Sequence, residues 1–193
     1  MAAEEDALRS LCASGDTRAA ATRAVSVYGA EIMSYLASSL RDEQEVREGF
    51  SIFLLSMWEG LARFRWDCSF RTWAYAVARH AVVRVVRERG RARASVLLSP
   101  ELEEVASRVH SATPSYLKTA TRKRIAQLRA GLDPDDRQLL ILRVNRKLSW
   151  DEVARVLLDE DQPTAEAVAR KAASLRKRFE RLKTTLRERA GRT

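Results

Sequence analysis

The sequence predicts an all-α protein built of two small helical domains joined by a linker. Its apolar residues recur at spacings of three and four, and most of them are Leu, Ala and Val. Only 4 prolines and 7 glycines interrupt the 193 residues, and 46% of the chain is hydrophobic, which is enough to form buried cores. We place the first domain at residues 16–93, the linker at 94–120 and the second domain at 121–189.

Three amphipathic segments are predicted in the first domain. The first two carry apolar stripes at 25–36 and 46–61. A third helix is predicted to open at an N-cap, either Ser69 or Asp67. One face of this helix carries side chains suited to packing: Phe70, Trp73, Ala74, Val77, Ala81 and Val85. The other side carries Arg71, Tyr75, Arg79 and Val82, and the arginines and Tyr75 are expected to lie in solvent.

The linker is marked by Pro100 and Pro114 and has no sustained apolar stripe. Leu102, Val105 and Val109 fit one short helix there, which would bury little surface. We therefore interpret this segment as a connection between two folded parts.

The second domain is predicted to contain helices with clear start signals. Asp133 followed by Pro134 marks the first start, ahead of an apolar stripe at 139–144. Ser149 and Glu152 form a capping-box pattern for the next helix. Its buried face is predicted to be Val153, Ala154, Val156 and Leu157. After a polar break at 159–163, the last helix starts beyond Thr164 and carries an apolar stripe over 175–186.

The charges are divided unevenly between the two ends of the chain. The formal net charge is +9 and the sequence pI is about 10.1. Residues 1–62 hold 10 acidic residues against 5 arginines, whereas residues 170–192 hold 10 basic residues against 2 acids. The two ends are therefore predicted to meet different partners, and the basic end suits a polyanion.

Several classes of protein are disfavoured by what the sequence lacks. Cys12 and Cys68 are far apart in the sequence, and neither lies at metal-ligand spacing from His80 or His110. This pattern argues against a disulfide or a metal site. No glycine-rich phosphate loop, Gly-x-Ser-x-Gly motif or spaced His–carboxylate set occurs, so we expect neither an enzyme nor a cofactor. The acidic start and the short apolar runs predict a cytoplasmic protein.

The third helix of the first domain is a candidate platform for opened DNA. Its candidate DNA-binding residues are Arg71, Tyr75, Arg79, His80, Arg84 and Arg87. Cations neutralise phosphates, and aromatic rings give unpaired bases a surface to stack on. The alternative is that Phe70 and Trp73 are core residues and that the arginines form a solvated face.

The second domain has the order of a helix-turn-helix, with a long basic helix at its end. Its candidate contacts with duplex DNA are Arg176, Lys177, Arg178, Arg181 and Lys183. Arginine fits guanine bidentately, and both residue types pair with phosphate. A helical hairpin with a charged outer face is the alternative.

A further candidate site is the acidic segment at 42–48, which precedes the second apolar stripe. Acids in the first turn favour a helix N-terminus electrostatically, and they also suit a basic protein partner. Composition leaves both interpretations open.

Residues 69–80, with Trp58 and Phe64 upstream and Arg87 downstream, resemble region 2 of sigma-70 family factors of the extracytoplasmic-function group. The family pattern there is Ser-Phe-x-x-Trp-Leu-x-x-Ile-Ala-x-Asn, and this chain has Ser-Phe-Arg-Thr-Trp-Ala-Tyr-Ala-Val-Ala-Arg-His. The segments at 132–143, 148–154 and 175–186 resemble region 4 of the same family. Together with the linker between them, these segments follow the family's order.

The resemblance implies a division of labour between the two domains. Region 2 would dock on the β′ coiled coil of core RNA polymerase through Glu45, Glu48, Ser51 and Ile52, and it would recognise and melt the minus-ten promoter element. Region 4 would dock on the β flap and place its last helix in the major groove of the minus-thirty-five element. Because many members of the family are held by an anti-sigma factor, such a protein is a further candidate partner.

The chain departs from the family pattern at the docking positions. Arg47, Ser51 and Ile52 stand where the family usually has Glu, Gln and an acid. The alternative function is therefore a sigma-derived helix-turn-helix regulator that does not productively engage core polymerase. His80 replaces the usual Asn and Arg84 replaces a common acid, so we expect an unusual minus-ten preference.

The break before the last helix is longer than the family's short turn. If residues 175–182 read the DNA, then residues 162–174 are largely inserted. They would either extend the final helix or form an extra one.

Overall fold

A computed structural model describes residues 2–89, 100, 103–104, 107–109, 131–158, 160 and 162–190. These residues form helices and turns without any strand, which confirms the predicted all-α fold class. The chain divides into two compact units, Met1–Thr119 and Ala120–Thr193. Within the described residues, no helix is long and apolar enough to span a membrane.

The first unit contains four long helices among its described residues. They are α1 (Ala2–Ala13), α2 (Thr17–Ser39), α3 (Glu43–Leu61) and α4 (Phe70–Arg87). Most of the predicted linker lies outside the described residues, although Pro100, 103–104 and 107–109 are helical. Val109 packs on Gly29 of α2, where a Cβ atom would stand only 3.0 Å from the valine side chain.

Three of these helices begin at side-chain caps. Asp16 Oδ1 accepts the backbone N–H of Ala19 at 2.9 Å and opens α2, and Asp42 caps α3 in the same way. Ser69 Oγ accepts the N–H of Thr72 at 3.1 Å, which confirms Ser69 as the cap of α4. These oxygens satisfy N–H groups that have no partner inside the helix.

The core of the first unit lies between α2, α3 and α4. Tyr35 of α2 meets Tyr75 of α4 edge to face, with ring centroids 5.3 Å apart. Phe53 of α3 is fully buried in the same core. Helix α1, which the sequence analysis does not predict, packs on α2 and buries Leu8 completely.

The described residues of the second unit form three helices and one π-helical turn. They are α5 (Pro134–Leu140), the π-helical turn (Ile141–Asn145), α6 (Trp150–Leu157) and α7 (Ala165–Ala190). The start signals at Asp133 and at the Ser149–Glu152 capping box are confirmed. The predicted face of α6 is buried, and residues 165–174 extend the final helix without forming a separate one.

Candidate nucleic-acid interface

Tyr75 and Arg79 of α4 lie inside the first unit, so their predicted exposure is wrong. Tyr75 is 0% exposed, and its hydroxyl donates to Glu31 Oε1 at 2.8 Å. Arg79 is 8% exposed. The cause is that α4 packs against both α2 and α3, so two sides of the helix are covered and only one narrow face remains in solvent.

Arg71 is half-buried and is engaged by a carboxylate of α2. Its Nε donates to both carboxylate oxygens of Glu31, at 3.2 and 3.1 Å, and its Nη2 donates to the same group. The guanidinium also lies over the ring of Tyr75, 5.4 Å from the centroid. The charge of Arg71 is therefore already paired with a carboxylate, and only 20% of its side chain is exposed.

The accessible basic residues of α4 lie in its last turns. His80, Arg84 and Arg87 are exposed and follow one another at helical spacing, with the exposed Val83 between them. We call these four residues the α4 strip. Arg84 also pairs with Glu88 at 3.3 Å, a contact between two residues four apart on the helix surface. The α4 strip is the part of the predicted platform that meets solvent.

An aromatic cluster lies beside the start of α4 and consists of Phe64, Trp66, Phe70 and Trp73. The Phe64 ring stacks on Trp73 at 4.9 Å and lies 4.8 Å from Trp66. Phe70 is fully buried, whereas the other three members are half-buried. Trp66 adopts a φ of 62°, which is uncommon for a large side chain and requires support from its surroundings.

The sequence predicts that Trp73 lies on the packing face of α4, and it predicts no role for Trp66. The structure instead leaves part of both rings accessible, and Arg9 of α1 lies over Trp66, 5.8 Å from the centroid. The feature of the sequence that indicates this cluster is the aromatic-rich loop at 64–66, which lies shortly before the cap of α4.

Two of the four predicted polymerase-docking residues are buried, so their side chains are not accessible to a partner in this structure. Glu45 is 4% exposed, and Ile52, also 4% exposed, belongs to the core. Glu48 and Ser51 are half-exposed. Ser51 Oγ donates to the carbonyl of Arg47 at 3.1 Å, and Arg47 itself is exposed.

Glu45 is buried because its carboxylate joins the first turn of α3 to the end of α4 through hydrogen bonds. Arg89, just after α4, donates to it through Nε at 2.8 Å and Nη2 at 2.9 Å. The backbone N–H of Arg41 donates to the same carboxylate at 3.0 Å. Hydrogen bonds from Arg89, and secondarily from Arg41, lower the pKa of Glu45 although burial opposes them.

The five predicted contacts of α7 fall into two groups. Arg176, Lys177 and Arg181 are exposed. Arg178 is instead engaged by acids at the start of α5, and Lys183 pairs with Glu180 at 2.8 Å. The structure therefore separates residues that the sequence treated as one basic patch.

The remaining side of α7 packs on α6. The rings of Trp150 and Phe179 meet edge to face with centroids 5.5 Å apart. The guanidinium of Arg143 lies over the ring of Trp150, 4.8 Å from its centroid. Its Nη1 donates to the backbone carbonyl of Leu148 at 2.7 Å. The contact between Trp150 and Phe179 packs α6 against α7, and the two helices follow each other along the chain as in a helix-turn-helix.

Residues 24–92 match the protein family described as sigma-70 region 2. The first unit carries a sigma-70 region 2 domain. The match spans most of α2 and all of α3 and α4, and it confirms the resemblance to the sigma-70 family drawn from residues 69–80.

The fold of the chain also resembles a solved structure, that of CnrH in complex with the cytosolic domain of CnrY. The TM-score is 0.57 with 20% sequence identity, over 94% of this chain and 98% of that chain. At this identity the likeness is one of fold. No curated protein matches the sequence.

Proposed function

We propose that this chain is a sigma factor of the extracytoplasmic-function group, which directs bacterial RNA polymerase to specific promoters and opens the DNA there. The observation that carries the proposal is the sigma-70 region 2 match over residues 24–92. The α4 strip and the aromatic cluster belong to this matched segment. The helix-turn-helix order of the second unit supports the same function.

In this proposal the opened minus-ten strand meets the first unit at two places. The α4 strip supplies cations for the phosphates, and the accessible rings of Trp66 and Trp73 offer surfaces for unpaired bases. Arg71, Tyr75 and Arg79 support this surface from inside the unit, since their side chains are engaged or buried.

The second unit would place the exposed face of α7 in the major groove of the minus-thirty-five element. Residues near the start of a recognition helix reach base edges, because this part of the helix enters the groove. Arg170 and Ala173 lie on the exposed face of the N-terminal part of α7, and Lys177 continues this face towards the middle of the helix. We therefore add Arg170 to Lys177 and Arg176 as proposed contacts, and this addition moves the reading surface towards the N-terminus of α7.

The proposed protein partners are core RNA polymerase and an anti-sigma factor. Arg47, Glu48 and Ser51 lie on a part of α3 that is accessible to a polymerase subunit. The solved structure with a similar fold contains CnrH together with the cytosolic domain of CnrY, which supports proposing that this chain also binds a regulatory protein.

Run-off transcription tests the proposed function. Bacterial core polymerase is mixed with the purified chain and fragmented genomic DNA, and the transcripts are sequenced from their 5′ ends. We expect starts that appear only when the chain is added and that share two upstream sequence elements. Sequence-specific duplex binding without any such start would support the helix-turn-helix regulator in place of the sigma factor.

A further inference from the structure

Arg178 of α7 is held by three carboxylates at the start of α5. Its Nε donates to Asp136 Oδ1 at 2.5 Å, and its Nη2 donates to Asp133 Oδ1 at 3.1 Å. Its Nη1 lies 3.7 Å from Asp135 Oδ2. The planar guanidinium therefore spans the whole N-terminal turn of α5, which suits its rigid fork of donors.

The same acids shape the first turn of α5. Asp133 Oδ1 also accepts the backbone N–H of Asp135 at 2.9 Å, so one oxygen both caps α5 and binds Arg178. Three carboxylates around one guanidinium leave this corner with negative charge, and negative charge repels a DNA phosphate. The side chain of Arg178 is only 36% exposed.

The neighbours of Arg178 on α7 are placed differently. Lys177 and Arg181 are both exposed. Leu175 and Leu182, which bracket Arg178 on the inner side of the helix, are buried. Arg178 therefore lies at the border between the packed side and the open face of α7.

We propose that Arg178 is a positioning residue, which fixes α7 against the first turn of α5 and so sets the angle at which the open face of α7 meets DNA. This inference rests on the proposed function of the second unit as a helix-turn-helix. Base reading in such a unit depends on a fixed angle between helices, because only a short part of the recognition helix reaches the base edges.

The substitution Asp136→Asn separates positioning from direct reading by the sign of its effect. If Arg178 read base edges, removal of the Asp136 charge would release the guanidinium and raise the affinity for a selected sequence relative to a scrambled one. Because Arg178 positions α7, the same substitution loosens the contact and weakens sequence-specific binding.

The probe is a duplex that the full chain selects from a random pool, together with a scrambled duplex of the same composition. Affinities are measured by fluorescence anisotropy over a range of salt concentrations, well below the unfolding midpoint of each variant. We expect Arg178→Ala and Asp136→Asn each to lower the affinity for the selected duplex, relative to the scrambled duplex, about three- to ten-fold. The salt slope stays unchanged, because Arg178 neutralises no phosphate.

The ratio of the two affinities distinguishes positioning from a merely structural role. A loss of stability alone moves the unfolding midpoint and leaves the ratio of selected to scrambled affinity unchanged. We expect the ratio to fall in both variants. Arg178→Lys keeps the charge without the fork and should restore the ratio only in part.

Two control variants complete the design. Asp151→Asn removes one acid from the first turn of α6 and should leave the ratio unchanged. Lys177→Ala removes a base from the exposed face next to Arg178 and should lower the salt slope by about 1.

A ratio of selected to scrambled affinity that is unchanged or higher in Asp136→Asn would overturn the inference, as would a lowered salt slope in Arg178→Ala. Failure of the wild-type chain to enrich any duplex would overturn the proposed function of the second unit, and the inference with it. Enrichment followed by an unchanged or higher ratio of selected to scrambled affinity in Asp136→Asn would overturn the inference alone.

Discussion

Replacing Glu45 by Gln removes a buried charge while keeping the size of the side chain. The carboxylate accepts two hydrogen bonds from Arg89 and one from the backbone of Arg41. A hydrogen bond to a charged group contributes about 1.5–3 kcal/mol to stability. Gln retains one acceptor oxygen, and the Arg89 side chain is 25% exposed and partly solvated, so we expect a net loss of about 2 kcal/mol.

Urea and thermal unfolding of the full chain measure this loss. Three of the four tryptophans lie in the first unit, so a Trp150→Phe background confines the fluorescence signal to that unit. A loss of about 2 kcal/mol corresponds to a fall of roughly 8 °C in Tm for a unit of this size. Glu43→Gln is the control, because Glu43 pairs with Arg47 on the surface and should change stability by less than about 0.5 kcal/mol.

The effect of Glu45→Gln depends on pH with a defined sign. The folded-state pKa of Glu45 lies below its ordinary value of 4.5, so the folded protein binds the proton less readily than the unfolded chain. The stabilisation is complete above pH 4.5 and is lost as the pH falls through the lower folded value. The difference between wild type and Glu45→Gln should therefore shrink in acid. Equal stability at neutral pH, or a difference that persists in acid, would refute the role assigned to this carboxylate.

Three other predictions concern the remaining features of the two units. Tyr75→Phe should lower the free energy of unfolding in urea by about 1 kcal/mol, because it removes the hydroxyl that donates to Glu31 of α2. The affinity for single-stranded DNA should stay unchanged, and a large loss of affinity would show a direct contact. Replacing Arg84 and Arg87 together by Ala should lower the salt slope of single-stranded DNA binding by about 1.4, and an unchanged slope would exclude the α4 strip from the interface. Ser149→Ala should cost about 1 kcal/mol through loss of the capping box, and unchanged unfolding of the second unit would contradict that role.

Local signals in the sequence were sufficient to predict helix starts. Ser69 and the Ser149–Glu152 pair act within three residues of themselves, so their effect depends little on the rest of the fold. The buried face of α6 was predicted for a similar reason, because a short helix packed on one side shows a simple apolar stripe.

The burial of Tyr75 and Glu45 could not be predicted in this way. Helix α4 is covered on two sides by α2 and α3. The sequence pattern divides the helix into one packed face and one exposed face, and it therefore places Tyr75 in solvent although the residue is buried. Glu45 is buried because of Arg89, which lies 44 positions further along the chain. Sequence spacing shows where a charge is placed on its own helix and does not show which distant charge it meets.

The prediction that Arg178 contacts DNA rests on composition and helix spacing alone. A basic residue on a basic helix suits DNA by composition, yet its contacts with α5 span 42 to 45 positions of sequence. Helix α1 has only a weak signal in the sequence, because its short apolar stripe is centred on one buried residue, Leu8, within an acidic segment.

Co-elution of the purified chain with bacterial core RNA polymerase on a sizing column tests the proposed sigma function most directly. The first unit carries the region 2 domain, and Glu48, Ser51 and Arg47 of α3 remain accessible to a polymerase subunit. We predict a stable complex that elutes ahead of the free chain at low and moderate salt. Separate elution at low salt would contradict the sigma factor proposal, and the DNA-binding regulator would then be the better explanation of the fold.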